Sequence, residues 1–123
     1  FIFQNETLLR LPEDNYERYG LGTDEHVADF NAARYQNETT GFPVNPEIWE
    51  AVVAMPTFEG DQLVELALHP ITLGFGQPAW VRGRPMLARG ELAAKILKDI
   101  VDRSKPFGTT IDVRDGVGYV RLR

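Results

Sequence analysis

The sequence predicts an α+β fold in which antiparallel β-hairpins pack against one long amphipathic helix, with shorter helices nearer the N-terminus. Three observations carry this expectation. Two apolar-alternating runs, Trp49 to Phe58 and Leu63 to Leu68, flank the turn residues Glu59-Gly60-Asp61-Gln62. Leu92, Ile96, Leu97, Ile100 and Val101 form a stripe at intervals of roughly 3.6 between Leu87 and Arg103. A second pair of short runs, Thr109 to Val113 and Val117 to Leu122, encloses Asp115-Gly116 and reads as a closing hairpin.

Taken in chain order, Phe1 to Leu11 reads as a strand with a polar interruption at Gln4-Asn5-Glu6, ended by Pro12, which cannot donate to a ladder. Pro12-Glu13-Asp14 opens a short helix through Tyr19, with carboxylates at the positive end of the dipole and Gly20 as the stop. Thr23 is the expected cap of a second helix, whose Val27, Phe30 and Ala33 recur at helical spacing up to Asn37. A connector rich in Thr, Gly, Asn and Pro leads to the first hairpin. Its first strand sets Trp49, Ala51, Val53 and Met55 against Glu50, Val52 and Ala54, so the second face is also fairly apolar. Pro70 is expected at the end or edge of the returning strand, because a central position would lose a hydrogen bond. Ser104-Lys105-Pro106 ends the long helix.

Composition narrows the function classes. A chain of 123 residues, 43% hydrophobic and 25% charged, suits one domain with a modest core. With no cysteine it has no disulfide framework, thiolate metal site or cysteine nucleophile. The net charge of −5 argues against nucleic-acid binding, which needs clustered Lys and Arg. Residues 1–50 hold 3 basic and 10 acidic side chains, whereas residues 51–123 hold 10 basic and 8 acidic, so an anion site belongs in the second part. No apolar run approaches the roughly 20 residues needed to span a bilayer as a helix. The opening Phe1-Ile2-Phe3, without cap or polar leader, suggests a piece of a longer protein or a processed mature chain.

Few side chains carry chemistry. His26 and His69 stand in no metal-ligand pattern, and His26 reads as a solvated helix residue. His69 falls where the strand is expected to leave the sheet. There its ring either bonds a loop carbonyl and pins the exit or reaches a ligand. Arg82-Gly83-Arg84, with Arg89 behind, is the compact basic cluster, able to fork onto carboxylate or phosphate or to ion-pair with the acidic N-terminal region. Gln4, Asn5 and Glu6 line a cleft or form an exposed bulge. Gly74-Phe75-Gly76 lacks the third glycine of a dinucleotide fingerprint, and Ser104, the sole serine, reads as a helix terminator. Asn5-Glu6-Thr7 and Asn37-Glu38-Thr39 match a glycosylation acceptor pattern that is short enough to arise by chance.

FIFQNE, LPEDNYERYGL, WEAVVAMPTFEGDQLVELALHPITLGFGQP, RGRPMLARGELAAKIL and RSKPFGTTIDV, in that order, resemble the C-terminal portion of CapA-type capsule and poly-γ-glutamate biosynthesis proteins, which are similar to calcineurin-like metallophosphoesterases. The resemblance covers nearly the whole chain and implies a C-terminal segment of a metallophosphoesterase-like sandwich. The family's metal ligands, an early Asp, an Asn-His pair and a His-x-His element, have no counterpart here. The resemblance therefore assigns no catalytic residue, metal ligand or cofactor to this segment, and leaves a divalent metal to the parent protein. It further implies the remainder of the parent as partner, an anionic polymer or phosphate as ligand, and a cell-envelope location for the parent. Gln4, Asn5, Glu6, His69, Arg82 and Arg84 are the candidate ligand contacts. Residues 1–123 then form a single domain or C-terminal fragment, with a strand and acidic helical region over 1–47 and hairpin, loop, helix and closing hairpin over 48–123. The alternative is a non-enzymatic module of a cell-envelope protein that binds a partner or forms oligomers through strand edges.

Overall fold

A computed structural model describes residues 11–22, 24–78 and 80–122. The expected N-terminal strand, including Gln4, Asn5 and Glu6, and the expected cap at Thr23 lie outside these residues. The fold is α+β, and the chain divides into two compact units, Phe1–Asn45 and Pro46–Arg123.

In the first unit, helix α1 spans Glu13–Arg18 and helix α2 spans Val27–Arg34. α1 ends as expected at Gly20, whose φ of +70° turns the chain. The Gly20 and Leu21 amides then donate to the carbonyls of Glu17 and Tyr16, satisfying two otherwise orphaned acceptors. His26 is the N-cap residue of α2, and the Asp29 carboxylate accepts its backbone N–H at 2.8 Å. Tyr16 and Phe30 are buried and meet edge to face at 5.9 Å, with Tyr19 on the same ring at 5.3 Å. α2 stops at Arg34 instead of continuing to Asn37. Gln36, Asn37 and Glu38 adopt φ of 49°, 54° and 67°, a left-handed turn that no right-handed helix can absorb.

In the second unit, β1 (Glu50–Glu59) and β2 (Gln62–Thr72) form the expected hairpin, with Glu59 opposite Gln62 and Gly60 at φ +64° in the two-residue turn. β3 is the short Met86–Leu87. Helix α3 spans Gly90–Ser104, and β4 (Ile111–Arg114) and β5 (Val117–Val120) close the unit through Asp115-Gly116, both at positive φ. The strand order is β1-β2-β5-β4, with β3 also paired to β2, all antiparallel.

Two expectations are corrected here. Leu87 belongs to β3, opposite Ile71, not to the helix, because Arg89 is extended and Gly90 at φ +57° makes the bend into α3. Pro70 lies within β2 rather than at its end. The Leu73 amide donates to the Trp49 carbonyl, so odd residues of β1 bond to β2, and Pro70, opposite Val52, turns its nitrogen away from β1. On that other side the β5 ladder reaches only Leu68. Pro70 is the next position that would have to donate. β3 takes over there using an acceptor alone, with the Ala88 amide donating to the Pro70 carbonyl at 2.9 Å.

The core of this unit is the α3 seam. Ala93, Ile96 and Leu97 are buried, and Ala88 and Val52 pack with them. Gly118 of β5 makes the close approach, since a Cβ there would stand 3.2 Å from Leu97 Cδ2 and 3.1 Å from Ile111 Cγ2. The packed face of β1 is thus the Glu50 and Val52 side, while Ala51, Val53 and Met55 point away from α3.

Among the described strands β1 lies at the edge of the sheet, and its even residues turn their backbone groups outward. Pro56 falls in that set and leaves a gap in the row of donors. Pro56→Thr restores the missing donor and is expected to make the chain associate at lower protein concentration, measured by light scattering, with unchanged far-UV circular dichroism. An equal onset for both proteins would show that the gap does not protect the edge.

Candidate functional site

The loop between β2 and β3 is held by its own backbone. The Gly83 amide donates to the Leu73 carbonyl at 2.8 Å and joins the two ends, while the Gly74 amide caps onto Thr72 Oγ1 at 3.1 Å. Within it, Gln77 turns back to the Gly74 carbonyl, and Val81 and Arg82 both donate to the Pro78 carbonyl. Gly74, at φ +82°, lies close to the Arg82 backbone, where a Cβ would reach 3.4 Å from Arg82 Cα. This is a compact Ω-like loop with a fixed path.

That path separates the two candidate arginines. The Arg82 guanidinium stacks over the Trp49 ring at 5.4 Å and ties the loop to the start of β1. Arg84, beyond the closure, is exposed and makes no ion pair among the described residues. Arg82 thus serves the loop, and Arg84 is the member of the pair offered to solvent.

His69 also sits differently from the expectation. The strand does not leave the sheet there. His69 is inside β2 opposite Val53, on the sheet face away from α3, half-buried and with no side-chain hydrogen bond or ion pair among the described residues. The same face carries Ala51, Val53 and Met55 from β1, Ala67 and Ile71 from β2, and Tyr119 from β5. Apart from Glu65 near the hairpin tip, its charged groups lie towards β4. Arg121 grips Asp112 with two bonds of 2.7 and 2.9 Å, which lowers the Asp112 carboxyl below its ordinary range, and Arg114 lies 4.3 Å over the Tyr119 ring. In the sequence this surface corresponds to the Trp49, Ala51, Val53 and Met55 face of β1, whereas the face read there as the second one, with Glu50, Val52 and Ala54, is the one that turns to α3.

Where the β5 ladder ends, a cavity of about 630 Å³ opens between His69-Pro70, the Leu87–Gly90 link and the Asp115-Gly116 turn. A second, of about 520 Å³, lies beside the loop, lined chiefly by Phe75, Val81, Met86 and Leu92. The exposed flank of α3 carries a row of ion pairs, one of which reaches across to β1. Lys95 bridges Glu50 and Asp99 at 2.6 and 3.1 Å, and Lys105 and Lys98 hold the Asp102 carboxyl down at about 2. Among the described residues, no three His, Asp or Glu side chains converge as a metal-ligand set, and no helix is long and apolar enough to cross a membrane.

No family model matches the chain. Two curated proteins of Sinorhizobium fredii, "Uncharacterized protein y4sH" and "Uncharacterized protein y4uA", are each 42% identical to it over 94 residues, covering 69% of this chain and 20% of the relative. The chain thus spans about one fifth of the length of the curated relatives it matches.

The division of roles between the arginines is measurable. Arg82→Ala is expected to cost about 1 kcal/mol in denaturant unfolding and to change the emission of Trp49. Arg84→Ala leaves both unchanged. Equal effects of the two substitutions would remove the distinction.

Proposed function

We propose that the chain is the C-terminal segment of a CapA-like protein of capsule or poly-γ-glutamate biosynthesis, completing a metallophosphoesterase-like fold whose metal ligands lie elsewhere in the parent. The observation that carries this reading is the pairing of relatives five times the matched length with a sheet that has a helix on one face and exposed apolar side chains on the other. A sheet buries both faces when it is a layer of a larger sandwich. The ordered motifs from the strand pair through LHPITLGFG to SKPFGT supply the family.

On this reading the segment performs no chemistry of its own. It contributes a wall and ligand contacts, with Arg84 and His69 as the described side chains free to meet an anionic polymer or phosphate. A divalent metal belongs to the parent, and the capsule role places that parent at the cell envelope.

The test is hydrolysis of a model phosphodiester, bis(p-nitrophenyl) phosphate, with and without added Mn²⁺, by the full-length polypeptide and by the 123-residue chain. The expected result is metal-dependent turnover by the full-length protein and none by the isolated chain. Turnover by the isolated chain would overturn the placement of the metal ligands. Absence of turnover in both would overturn the enzymatic reading in favour of an interaction module.

A further inference from the structure

We infer that the face of the sheet opposite α3 is an internal packing surface, covered by the rest of a longer polypeptide and not by a second copy of this chain. The inference rests on the reading of the chain as part of a longer protein. It goes further by naming the surface and its occupant.

The side chains are wrong for a solvent face. Antiparallel sheets with one wet side alternate apolar and polar residues. Here Ala51, Val53 and Met55 follow one another along β1 on the side away from the helix, with Ala67 and Ile71 opposite them on β2. Val53 is 45% exposed and Met55 55% exposed. Apart from His69, the charged residues of this face stand at its margins. Thr57 and Glu65 approach the hairpin tip, and Asp112, Arg114 and Arg121 lie along β4 and the end of β5. An apolar centre with a polar margin is the anatomy of an interface. His69, unpartnered among the described residues, lies within the apolar part and would gain its hydrogen-bond partner from the covering layer.

Two observations choose the occupant. The relatives that match this chain at 42% identity continue for about four times its matched length beyond it, so polypeptide to cover the face is joined to the segment in each of them. Self-pairing through the neighbouring edge is disfavoured. The outward backbone groups of β1 belong to its even residues, and Pro56 among them offers no donor to a copy of the strand.

The experiment places Val53→Lys and Met55→Lys separately in the full-length polypeptide and in the 123-residue chain, with Met55→Leu as the apolar control. The expected result is that each lysine lowers the thermal midpoint of the full-length protein by several degrees or removes its soluble expression, while Met55→Leu preserves both. In the 123-residue chain all three leave the midpoint unchanged. A shift of equal size in both proteins would overturn the inference, because the side chains would then serve the segment's own fold. No shift in either would overturn it, because the face would then be open in the full-length protein. A dimer of the 123-residue chain that dissociates on Met55→Lys, with the full-length protein unaffected, would assign the face to a second copy and overturn it as well. None of these readings uses phosphodiester turnover. A full-length protein that is catalytically inert yet sensitive at Met55 would therefore sink the enzymatic proposal and leave this one standing.

Discussion

The packing of α3 onto the sheet at Gly118 is the contact on which the second unit depends. Leu97 is the most deeply buried side chain there, and it reaches that depth because β5 presents no Cβ beneath it. Everything else in the unit is arranged around one helix and one sheet. A helix of 15 residues is about 22 Å long, whereas strands of 10 and 11 residues extend about 33 to 36 Å. α3 therefore cannot cover even its own side of the hairpin completely. Phe58, near the tip, is 58% exposed. On the other side of the sheet, among the described residues, the β1 side chains Val53 and Met55 stay about half exposed.

Two prolines and one arginine set the borders of this layer. Pro70 ends the β2–β5 ladder on the side where its nitrogen points, and β3 enters in its place with a bond that asks only for a carbonyl. Pro56 leaves the outer edge of β1 without a donor in mid-strand. Arg82 then fastens the loop that follows β2 onto Trp49. The stretch from Leu63 to Ala88 thus has a structural purpose throughout: strand, interrupted ladder, closed loop and short return strand. Its one solvent-directed cation, Arg84, lies just outside the closure.

Much of this was legible from residue types alone, and the parts that were not have physical reasons. Gly60 and Asp115-Gly116 announced both hairpins because positive φ is demanded at those turns. Ile96 and Leu97 announced the buried seam of α3 through their spacing. The start of α3 is not legible from periodicity because Leu87 fits the helical period as well as it fits a strand, and only pairing with Ile71 decides the matter. Pro70 is tolerated inside β2 because the rule against proline in a strand depends on which side its nitrogen faces, and that follows from register, which residue type alone does not show. The left-handed turn at Gln36 to Glu38 carries no glycine to advertise it. Arg82 and Arg84 looked equivalent because they are equivalent in sequence. Trp49, which distinguishes them, lies more than thirty positions away. For His69 the alternation of β2 assigns a face, but the neighbour that would give its ring a partner is not among the described residues.

The central claim is that one side of this sheet is an interior surface awaiting the rest of a larger protein. The two methionines provide an internal comparison, since Met55 lies on the bare face and Met86 on the α3 side at 38% exposure. Solvent paramagnetic relaxation of their ε-methyl groups, measured by nuclear magnetic resonance in the 123-residue chain and in the full-length polypeptide, tests the claim most directly. The account predicts that both methyls relax strongly in the short chain and that only Met55 becomes protected in the full-length protein. Equal relaxation of Met55 in the two proteins would contradict it.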